Sequence, residues 1–378
     1  MLTSAIFPPR EGMGFYIWNL SRHLVEQGHS VQIITRGRMK KVQCKLIEGI
    51  PIWWAPFLTI YPLHVHFHNL FVERLLKNLV TELDLLHLHT PLVRYPKIDL
   101  PAIVTVHTPM IADSKAFSVD SPLALLAKLQ TPISTRLEQE IFAKAAGITA
   151  VCSSVVQELS DYGIDRSSVF VLGNGVDTQV FSTRDPRSAS NPPKILTVCR
   201  LGPRKGLDDL IACARLVTAR CPEIQFYIAG EGPYQGKIRR RIRSSNLAEN
   251  VTLLGHISNR EKLVELYQSA TVFVHPAHYE GLPTVLLEAM SCGCPVVTTA
   301  VSGALDVVVD NENGLLVPPY APHHMAQAIL HILNEPLFGE RLGKAARKTI
   351  VEHFSWQVVS QNYLVHYERL LRNQGFLN

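Results

Sequence analysis

Short apolar runs rich in β-branched residues alternate with longer segments of helical periodicity in both halves of this chain. The runs in the first half are SVQIIT, DLLHLHT, AIVTVHT and GITAVCS, and those in the second half are KILTVCRL, QFYIAGEG, VTLLGHI, ATVFVHPA and PVVTTA. Apolar runs of this length are typical of strands in a parallel sheet covered by helices on both faces. The segment NLSRHLVEQG, which ends at Gly28, has the pattern of such a covering helix. The sequence therefore predicts an α/β protein with two similar units.

The division into domains follows from the length of the chain and from one polar segment. Its 378 residues exceed the roughly 250 to 300 residues that a single hydrophobic core supports, so we expect two domains. Residues 181–193, FSTRDPRSASNPP, are polar, Pro-rich and without periodicity, as expected of a linker. We place the two domains at 1–183 and 184–355. An amphipathic helix from Trp356 to Leu371 follows the second unit, which is already complete without it.

Composition and charge limit the classes of function. With 47% apolar and 18% charged residues, the chain has the composition of a soluble globular protein. The net charge of +5 comes from the first 80 residues, which hold nine Lys and Arg against four Asp and Glu. This mild surplus does not indicate a nucleic-acid-binding protein, and RRRIR at 239–243 is best explained as a solvated helix face. The basic surplus of the first 80 residues allows contact with phosphates or an acidic membrane, although a solvated basic face is the simpler interpretation.

The cysteines and the hydropathy pattern bear on the compartment. Seven cysteines are scattered through apolar segments such as LTVCRL, as is typical of reduced, buried thiols, so we expect no disulfides. No apolar stretch approaches 18 uncharged residues, and the first residues lack the pattern of a signal peptide. We expect a cytoplasmic protein, with peripheral contact at the inner face of the membrane as a further expectation.

The most informative segment is HPAHYEGLPTVLLEAMSCGCPVV, residues 275–297, where a strand ends, a loop turns and a helix begins near Thr284. Ligands bind at this edge of open parallel sheets. Pro283 suits the start of a helix, and the free amides of Leu282, Thr284 and Val285 would point out of its positive end. The segment therefore predicts an anion site.

Two carboxylates and two cations accompany this predicted anion site. Glu288 lies one turn after Thr284 on the same helix face, and a pair of neutral ribose hydroxyls is its natural partner because phosphate would repel it. Glu280 precedes the helix and could reach a hydroxyl of a sugar beyond the phosphates. Arg200 at a strand end and Lys205 in the next loop can neutralise a leaving diphosphate by positioned charge alone.

Metal and dinucleotide sites are not indicated. There is no Asp-x-Asp pair, and Glu82-x-Asp84 is better explained as the solvated start of a strand, so we predict no metal. The segment GEGPYQG places its third glycine one residue too late for a dinucleotide fingerprint. Two alternating sets of histidines lack Cys or carboxylate partners, and we expect them to be half-exposed strand or loop residues: His64, His66 and His68, and His87 and His89.

These motifs resemble those of a large family of retaining glycosyltransferases with the GT-B fold, family four. Its hallmark is a pair of glutamates with seven residues between them in an E-G-x-P-x-x-x-L-E-A-M context, which Glu280 to Glu288 match at each position. Other family motifs correspond to Arg200 and Lys205 for the phosphates, the donor-binding G-E-G-P turn at 230–233 with Gly232, and the N-G-V-D turn at 174–177. The resemblance covers nearly the whole chain.

The resemblance implies a fold and a set of roles. It implies two Rossmann-like domains facing each other across a cleft, an acceptor domain first and a nucleotide-sugar domain second, with the helix 356–378 crossing back onto the first. The nucleotide-diphosphate sugar would be the co-substrate, without a further cofactor. Arg200 and Lys205 would hold the diphosphate, Glu288 the ribose and Glu280 the donor sugar.

The first domain matches the family less closely. The family begins with a full strand and a P-P-x-x-G-G loop that closes over the donor, whereas here MLTSAIF precedes PPREGMG, in which Gly12 and Gly14 stand for the adjacent glycines. Either translation begins upstream or the first strand is short. In TVHTP, His107 ends a strand and matches a family histidine near the transferred sugar, although a strand-end histidine is often just a half-buried polar residue.

The sequence thus favours a metal-independent hexosyltransferase that uses a UDP- or GDP-sugar. The expected acceptor is a saccharide or a lipid-linked saccharide, in the synthesis of a surface polysaccharide or glycolipid. Two alternatives remain: a non-catalytic protein that binds nucleotide sugars, favoured by the short first strand and the altered glycine loop, and a nucleotide-sugar epimerase, which the E-G-L-P-x-x-x-L-E-A-M match disfavours.

Overall fold

The chain forms two compact units. The computed structural model describes residues 1–9, 12–37, 41–58, 64–111, 131–183 and 191–376. Unit 1 comprises Met1–Gly173 with Trp356–Asn378, and unit 2 comprises Asn174–Ser355. Each unit has its own largely parallel sheet, which confirms the prediction of an α/β protein with two Rossmann-like domains.

Unit 1 is built on an eight-stranded sheet. Its strands are β1 (Leu2–Thr3), β2 (Ile33–Gly37), β3 (Gln43–Ile47), β4 (Ile50–Pro56), β5 (Leu86–Thr90), β6 (Ala102–Val106), β7 (Gly147–Ala150) and β8 (Val169–Val171). They lie in the order β3-β4-β2-β1-β5-β6-β7-β8, and all neighbours are parallel except the hairpin pair β3 and β4. The first strand is short, yet it lies near the middle of the sheet between β2 and β5.

The described α-helices of unit 1 cover this sheet. They are α1 (Gly12–Glu26), α2 (His64–Leu79), α3 (Thr131–Lys144), α4 (Ser153–Leu159) and, at the end of the chain, α11 (Trp356–Asn373). Tyr16, Ile17 and Leu20 on the buried face of α1 pack into one core with Ile33 and Tyr363. Since Tyr363 belongs to α11, the C-terminal helix contributes to the core of the first domain.

Unit 2 is built on a fully parallel sheet of six strands. These are β9 (Lys194–Val198), β10 (Gln225–Ala229), β11 (Val251–Gly255), β12 (Val272–His275), β13 (Val296–Thr299) and β14 (Leu315–Val317), in the order β11-β10-β9-β12-β13-β14. The α-helices are α5 (Leu207–Thr218), α6 (Gln235–Ser244), α7 (Arg260–Ser269), α8 (Thr284–Ser291), α9 (Pro322–Asn334) and α10 (Pro336–Thr349). A π-helical turn, Ile350–Phe354, follows α10. Because β9 and β12 are neighbours, the loops after their carboxyl ends emerge side by side.

The boundary between the units differs from the one expected at residue 183. It lies after Gly173, because the following segment is bonded to unit 2. The Asn174 side chain donates to the Leu282 carbonyl at 2.6 Å, and the Arg347 guanidinium donates to the carbonyls of Thr178 and Phe181 at 2.9 and 2.8 Å. The expected linker residues 184–190 and the segment 121–130 lie outside the described residues.

The prediction for the alternating histidines was wrong. His64 and His68 lie buried on helix α2, and only His66 of that set is exposed. His87 and His89 lie on β5, where they are 3% and 0% exposed and their ring centroids are 4.0 Å apart. Both faces of β5 are buried in the interior of the sheet, so alternation along this strand does not distinguish a solvent side from a core side.

All seven cysteines are free thiols. Four of them are buried, and Cys44 on the edge strand β3 is exposed, against the expectation that all are packed in apolar surroundings. Among the described helices, none is long and apolar enough to span a bilayer.

Candidate active site

Arg200 emerges directly after β9, at the carboxyl edge of the unit 2 sheet. Its side chain is exposed and makes no hydrogen bond or ion pair with any residue that the structure describes. The G-E-G-P turn packs against this segment, where the Leu201 amide donates to the Glu231 carbonyl at 2.9 Å. A Cβ atom at Gly232 would lie 2.3 Å from the Leu201 carbonyl oxygen, so only glycine allows this approach. The turn therefore holds the backbone beside Arg200 in place.

Lys205 and Glu280 form an ion pair across two neighbouring loops. The Lys205 Nζ donates to Glu280 Oε1, and their side chains are 23% and 21% exposed. The loops touch closely: Gly206 has a φ of 61°, and a Cβ there would lie 1.7 Å from the Pro276 carbonyl oxygen. The loop after β9 is therefore fixed against the loop after β12, and the predicted cation and carboxylate meet.

His275 is the second polar neighbour of Glu280. Its Nε2 lies 3.7 Å from Glu280 Oε1, and the side chain is 2% exposed. Burial alone would raise the pKa of Glu280, but the contacts with His275 and the Lys205 ammonium outweigh burial and lower the pKa to about 2. Glu280 is therefore an anion over the whole physiological pH range.

Helix α8 begins at Thr284, as predicted. Pro283 is its N-cap, with no side-chain cap bond, so the amides of Thr284 and Val285 lie in a first turn that no side chain caps. The preceding turn is held by unit 2 itself, because Leu282 is 6% exposed and its carbonyl accepts the Asn174 amide. The N-terminus of α8 thus has the positive dipole end and the amide groups of an anion site.

Glu288 lies one turn into α8, on the same face as Thr284. Its Oε2 accepts a hydrogen bond from the Tyr267 hydroxyl at 2.8 Å. Burial raises the pKa of Glu288 to about 7, although the Tyr267 hydrogen bond and the charge of Arg260 act in the opposite direction. Glu280 and Glu288 thus bracket the N-terminus of α8 with two carboxylates of very different acidity.

The predicted residues of unit 1 lie at the ends of α1 and β6. His107 follows β6 and is half-buried, and burial lowers its pKa to about 3, so its imidazole is neutral near pH 7. The Tyr16 ring stands edge-on to it at 4.8 Å between centroids, and His89 Nδ1 lies 3.4 Å from His107 Nε2. Gly12 and Gly14 form the start of α1 and do not precede it as a loop.

Sequence reasoning missed two residues that support this site, His275 and Tyr267, and named Asn174 only as part of the N-G-V-D turn. His275 and Tyr267 contact Glu280 and Glu288, and Asn174 holds the Leu282 carbonyl. A histidine at the end of the apolar run ATVFVHPA was a visible signal, because a buried polar side chain requires a partner. Tyr267 carried no such signal, since an aromatic residue on a helix is usually core. Within the described ranges no group of three or more His, Cys, Asp or Glu could hold a metal ion.

Two family models match consecutive parts of the chain. Residues 10–180 match "Glycosyltransferase Family 4", and residues 181–349 match "Glycosyl transferases group 1". The chain is a family 4 glycosyltransferase. The two matched segments cover both units, and the E-G-L-P-x-x-x-L-E-A-M motif lies within the second.

Known proteins resemble this glycosyltransferase over much of its length. Glycogen synthase of Mycobacterium tuberculosis is 28% identical over 280 residues, 73% of this chain and 66% of that enzyme. Sucrose-phosphate synthase from Thermosynechococcus elongatus has a similar structure, with a TM-score of 0.81 over 98% of both chains at 22% identity. Anabaena HepE, crystallised with UDP-glucose, also has a similar structure, with a TM-score of 0.74 over 97% of this chain and 98% of its own at 16% identity. These structural likenesses confirm the GT-B fold.

Proposed function

We propose that this glycosyltransferase moves a hexose from a UDP- or GDP-sugar to a saccharide or lipid-linked acceptor, with retention of anomeric configuration and without a metal. The observation that carries the donor site is the meeting of Lys205, Glu280 and the uncapped start of α8 at one sheet edge. A leaving nucleoside diphosphate gains negative charge as the glycosidic bond breaks. Cations and amides held in advance stabilise that charge without moving.

The ion pair suggests how donor binding and sugar contact are linked. Without donor, Glu280 neutralises Lys205. A diphosphate offers Lys205 more negative charge than one carboxylate does, so the ammonium shifts towards the phosphates. Glu280 is then free to accept hydrogen bonds from hydroxyls of the donor sugar. Arg200, which is exposed and unpaired among the described residues, joins Lys205 on the diphosphate.

The remaining roles follow the family resemblance. Glu288, in its ionised form, accepts from the two ribose hydroxyls, while the amides of Thr284 and Val285 receive a phosphate oxygen. The turn with Gly232 keeps Arg200 in place. His107, neutral near pH 7, is proposed to lie near the transferred sugar, and the Gly12 to Gly14 segment to contact the donor.

A cytoplasmic location with peripheral membrane contact suits a lipid-linked acceptor. The outward face of α2 supports this: Leu70 is 52% exposed, and it shares that face with exposed Arg74 and Lys77. An apolar side chain beside cations matches the interface of an anionic bilayer. No nucleic-acid partner is proposed.

The test separates binding from turnover. Thermal shift with a panel of UDP- and GDP-sugars, and nucleotide release with an acceptor extract, are measured for the wild type, Glu288→Ala and Arg200→Ala. We expect one donor to stabilise the wild type, and Arg200→Ala to lower kcat/KM about 100-fold with little change in Tm. Arg239→Ala is the matched control. It removes an exposed arginine that lies on α6 and not beside the donor site, so it should behave as wild type.

Three outcomes contradict the proposal. If no donor stabilises the protein, or if Arg200→Ala binds and releases nucleotide as well as Arg239→Ala does, the donor site is misplaced. Selective donor binding without release under any acceptor would instead support the non-catalytic alternative.

A further inference from the structure

His275 is a buried polar side chain at the end of an apolar strand. It is the last residue of β12, follows Val272, Phe273 and Val274, and is 2% exposed. A buried imidazole without hydrogen-bond partners is costly, so such a residue is retained where its nitrogens are used. The partners of the two nitrogens therefore indicate what the ring does.

One nitrogen fixes the ring to the sheet. His275 and Thr298 are paired in the parallel register of β12 and β13, and Nδ1 lies 3.1 Å from Thr298 Oγ1. Thr298 is fully buried. The ring plane is thus set by two neighbouring strands of the sheet interior.

The other nitrogen faces the active-site loop. Nε2 has no hydrogen-bond partner within bonding distance among the described residues, and Glu280 Oε1 lies 3.7 Å from it. That distance exceeds a hydrogen bond by about 0.5 Å, a gap that a small movement of the loop closes. Catalytic hydrogen bonds are often long without substrate and shorten when it binds.

We propose that His275 is a positioning residue that orients the Glu280 carboxylate once the donor diphosphate has drawn Lys205 away. In the tautomer that carries its hydrogen on Nε2, the ring donates to Glu280 there and accepts at Nδ1 from the Thr298 hydroxyl, which turns to it from the His275 carbonyl 3.2 Å away, so no proton is transferred. Glu280 then keeps one fixed donor, and its second oxygen faces the sugar hydroxyls. This inference rests on the role proposed above for Glu280.

Two amide substitutions separate the functions of the two nitrogens. In His275→Asn the amide reaches only the position of Nδ1, so the contact with Thr298 is kept and that with Glu280 is lost. In His275→Gln the amide extends to the position of Nε2 and keeps a donor towards Glu280. We expect His275→Asn to lower kcat about tenfold and His275→Gln to stay within about threefold of wild type.

The Kd of free UDP and GDP distinguishes a positioning role from a structural one. A general structural defect would weaken nucleotide binding, whereas a misoriented Glu280 would not. Those nucleotides carry no sugar, so we expect their Kd to stay within about twofold of wild type in both variants, with Tm as a check on folding. If both variants lose kcat equally, or if the nucleotide Kd weakens in step with kcat, His275 does not act through Glu280. If His275→Asn fails to fold, Thr298→Val loosens the ring instead, and unchanged kcat in that variant overturns the proposal.

Glu280→Gln distinguishes this inference from the proposed function. If Glu280→Gln leaves kcat unchanged, the role given to Glu280 fails. If Glu280→Gln lowers kcat while His275→Asn does not, the role of Glu280 stands and the inference about His275 fails.

Discussion

At the scale of single residues, Glu280 and Glu288 show how surroundings decide the chemistry of identical side chains. Glu280 is half-buried beside an imidazole and a cation, and its pKa falls to about 2. Glu288 is half-buried beside a tyrosine hydroxyl, and its pKa rises to about 7. The imidazole and the ammonium together outweigh the cost of removing the Glu280 carboxylate from water, whereas the tyrosine hydroxyl and the more distant charge of Arg260 do not outweigh it at Glu288. The sequence motif contains both glutamates, but it gives no indication that their pKa values differ.

Donor affinity should depend on the ionisation of Glu288. Only the carboxylate can accept from both ribose hydroxyls, so we expect the Kd of the donor to be about fivefold weaker at pH 6 than at pH 8. The measurement is calorimetric titration across that range. Because phosphate also titrates near pH 6, Glu288→Gln is the control, and its Kd should change less over the same range. An identical pH dependence in both proteins would contradict the assignment.

The same group affects stability in the opposite sense. Since folding raises the pKa of Glu288 from 4.5 to about 7, its contribution to stability is complete below pH 4.5 and is lost as the pH rises through 7. Glu288→Gln cannot ionise, so without donor it should unfold at a higher temperature than wild type at pH 8, by roughly 3 °C, and at a similar temperature at pH 5.

At the scale of elements, α11 shows how a helix at the end of the chain completes a core formed at its beginning. The Tyr363 hydroxyl lies 2.5 Å from that of Tyr16 on α1 and 3.0 Å from Thr105 Oγ1 on β6. Gln27 just after α1 donates to Ser360 at 2.6 Å. Tyr16 in turn stands edge-on to His107, so α11 supports the side chain that packs against that histidine.

Removing the Tyr363 hydroxyl should destabilise unit 1. Tyr363→Phe leaves the buried Tyr16 hydroxyl and Thr105 without this partner, at a cost of about 1–3 kcal/mol in the free energy of unfolding. Differential scanning calorimetry should show a lower Tm for this variant. Tyr320→Phe is the control. Tyr320 is 70% exposed, so the loss of its hydroxyl should leave Tm unchanged. Equal Tm values for the two variants would show that the buried network does not stabilise α11.

At the scale of the whole molecule, the described residues of the two units form separate hydrophobic cores. Ile17 belongs to a core of unit 1 and Ile211 to the core of unit 2. The proposed nucleotide site belongs to unit 2, so nucleotide binding should stabilise that unit selectively through mass action.

Two core substitutions test this assignment. Ile211→Ala and Ile17→Ala each create a cavity that costs about 2–5 kcal/mol in the free energy of unfolding of one unit. Each should therefore lower the temperature of one calorimetric transition. The donor nucleotide should raise the transition that Ile211→Ala lowers. If both substitutions lowered every transition equally, or if nucleotide raised only the transition sensitive to Ile17→Ala, the proposed site would not belong to unit 2.

The sequence by itself determined the alternation of strands and helices, the start of α8 and the two-glutamate motif, because these depend on local periodicity, turn residues and spacing. Only the tertiary structure decided that residues from Asn174 onward belong to unit 2, that His87 and His89 are buried, and that His275 and Tyr267 face the two glutamates. Each of these depends on contacts between residues distant in sequence, such as the 108 positions between Asn174 and Leu282. Local pattern carries no information about such pairs, since strand order and register bring them together only after folding.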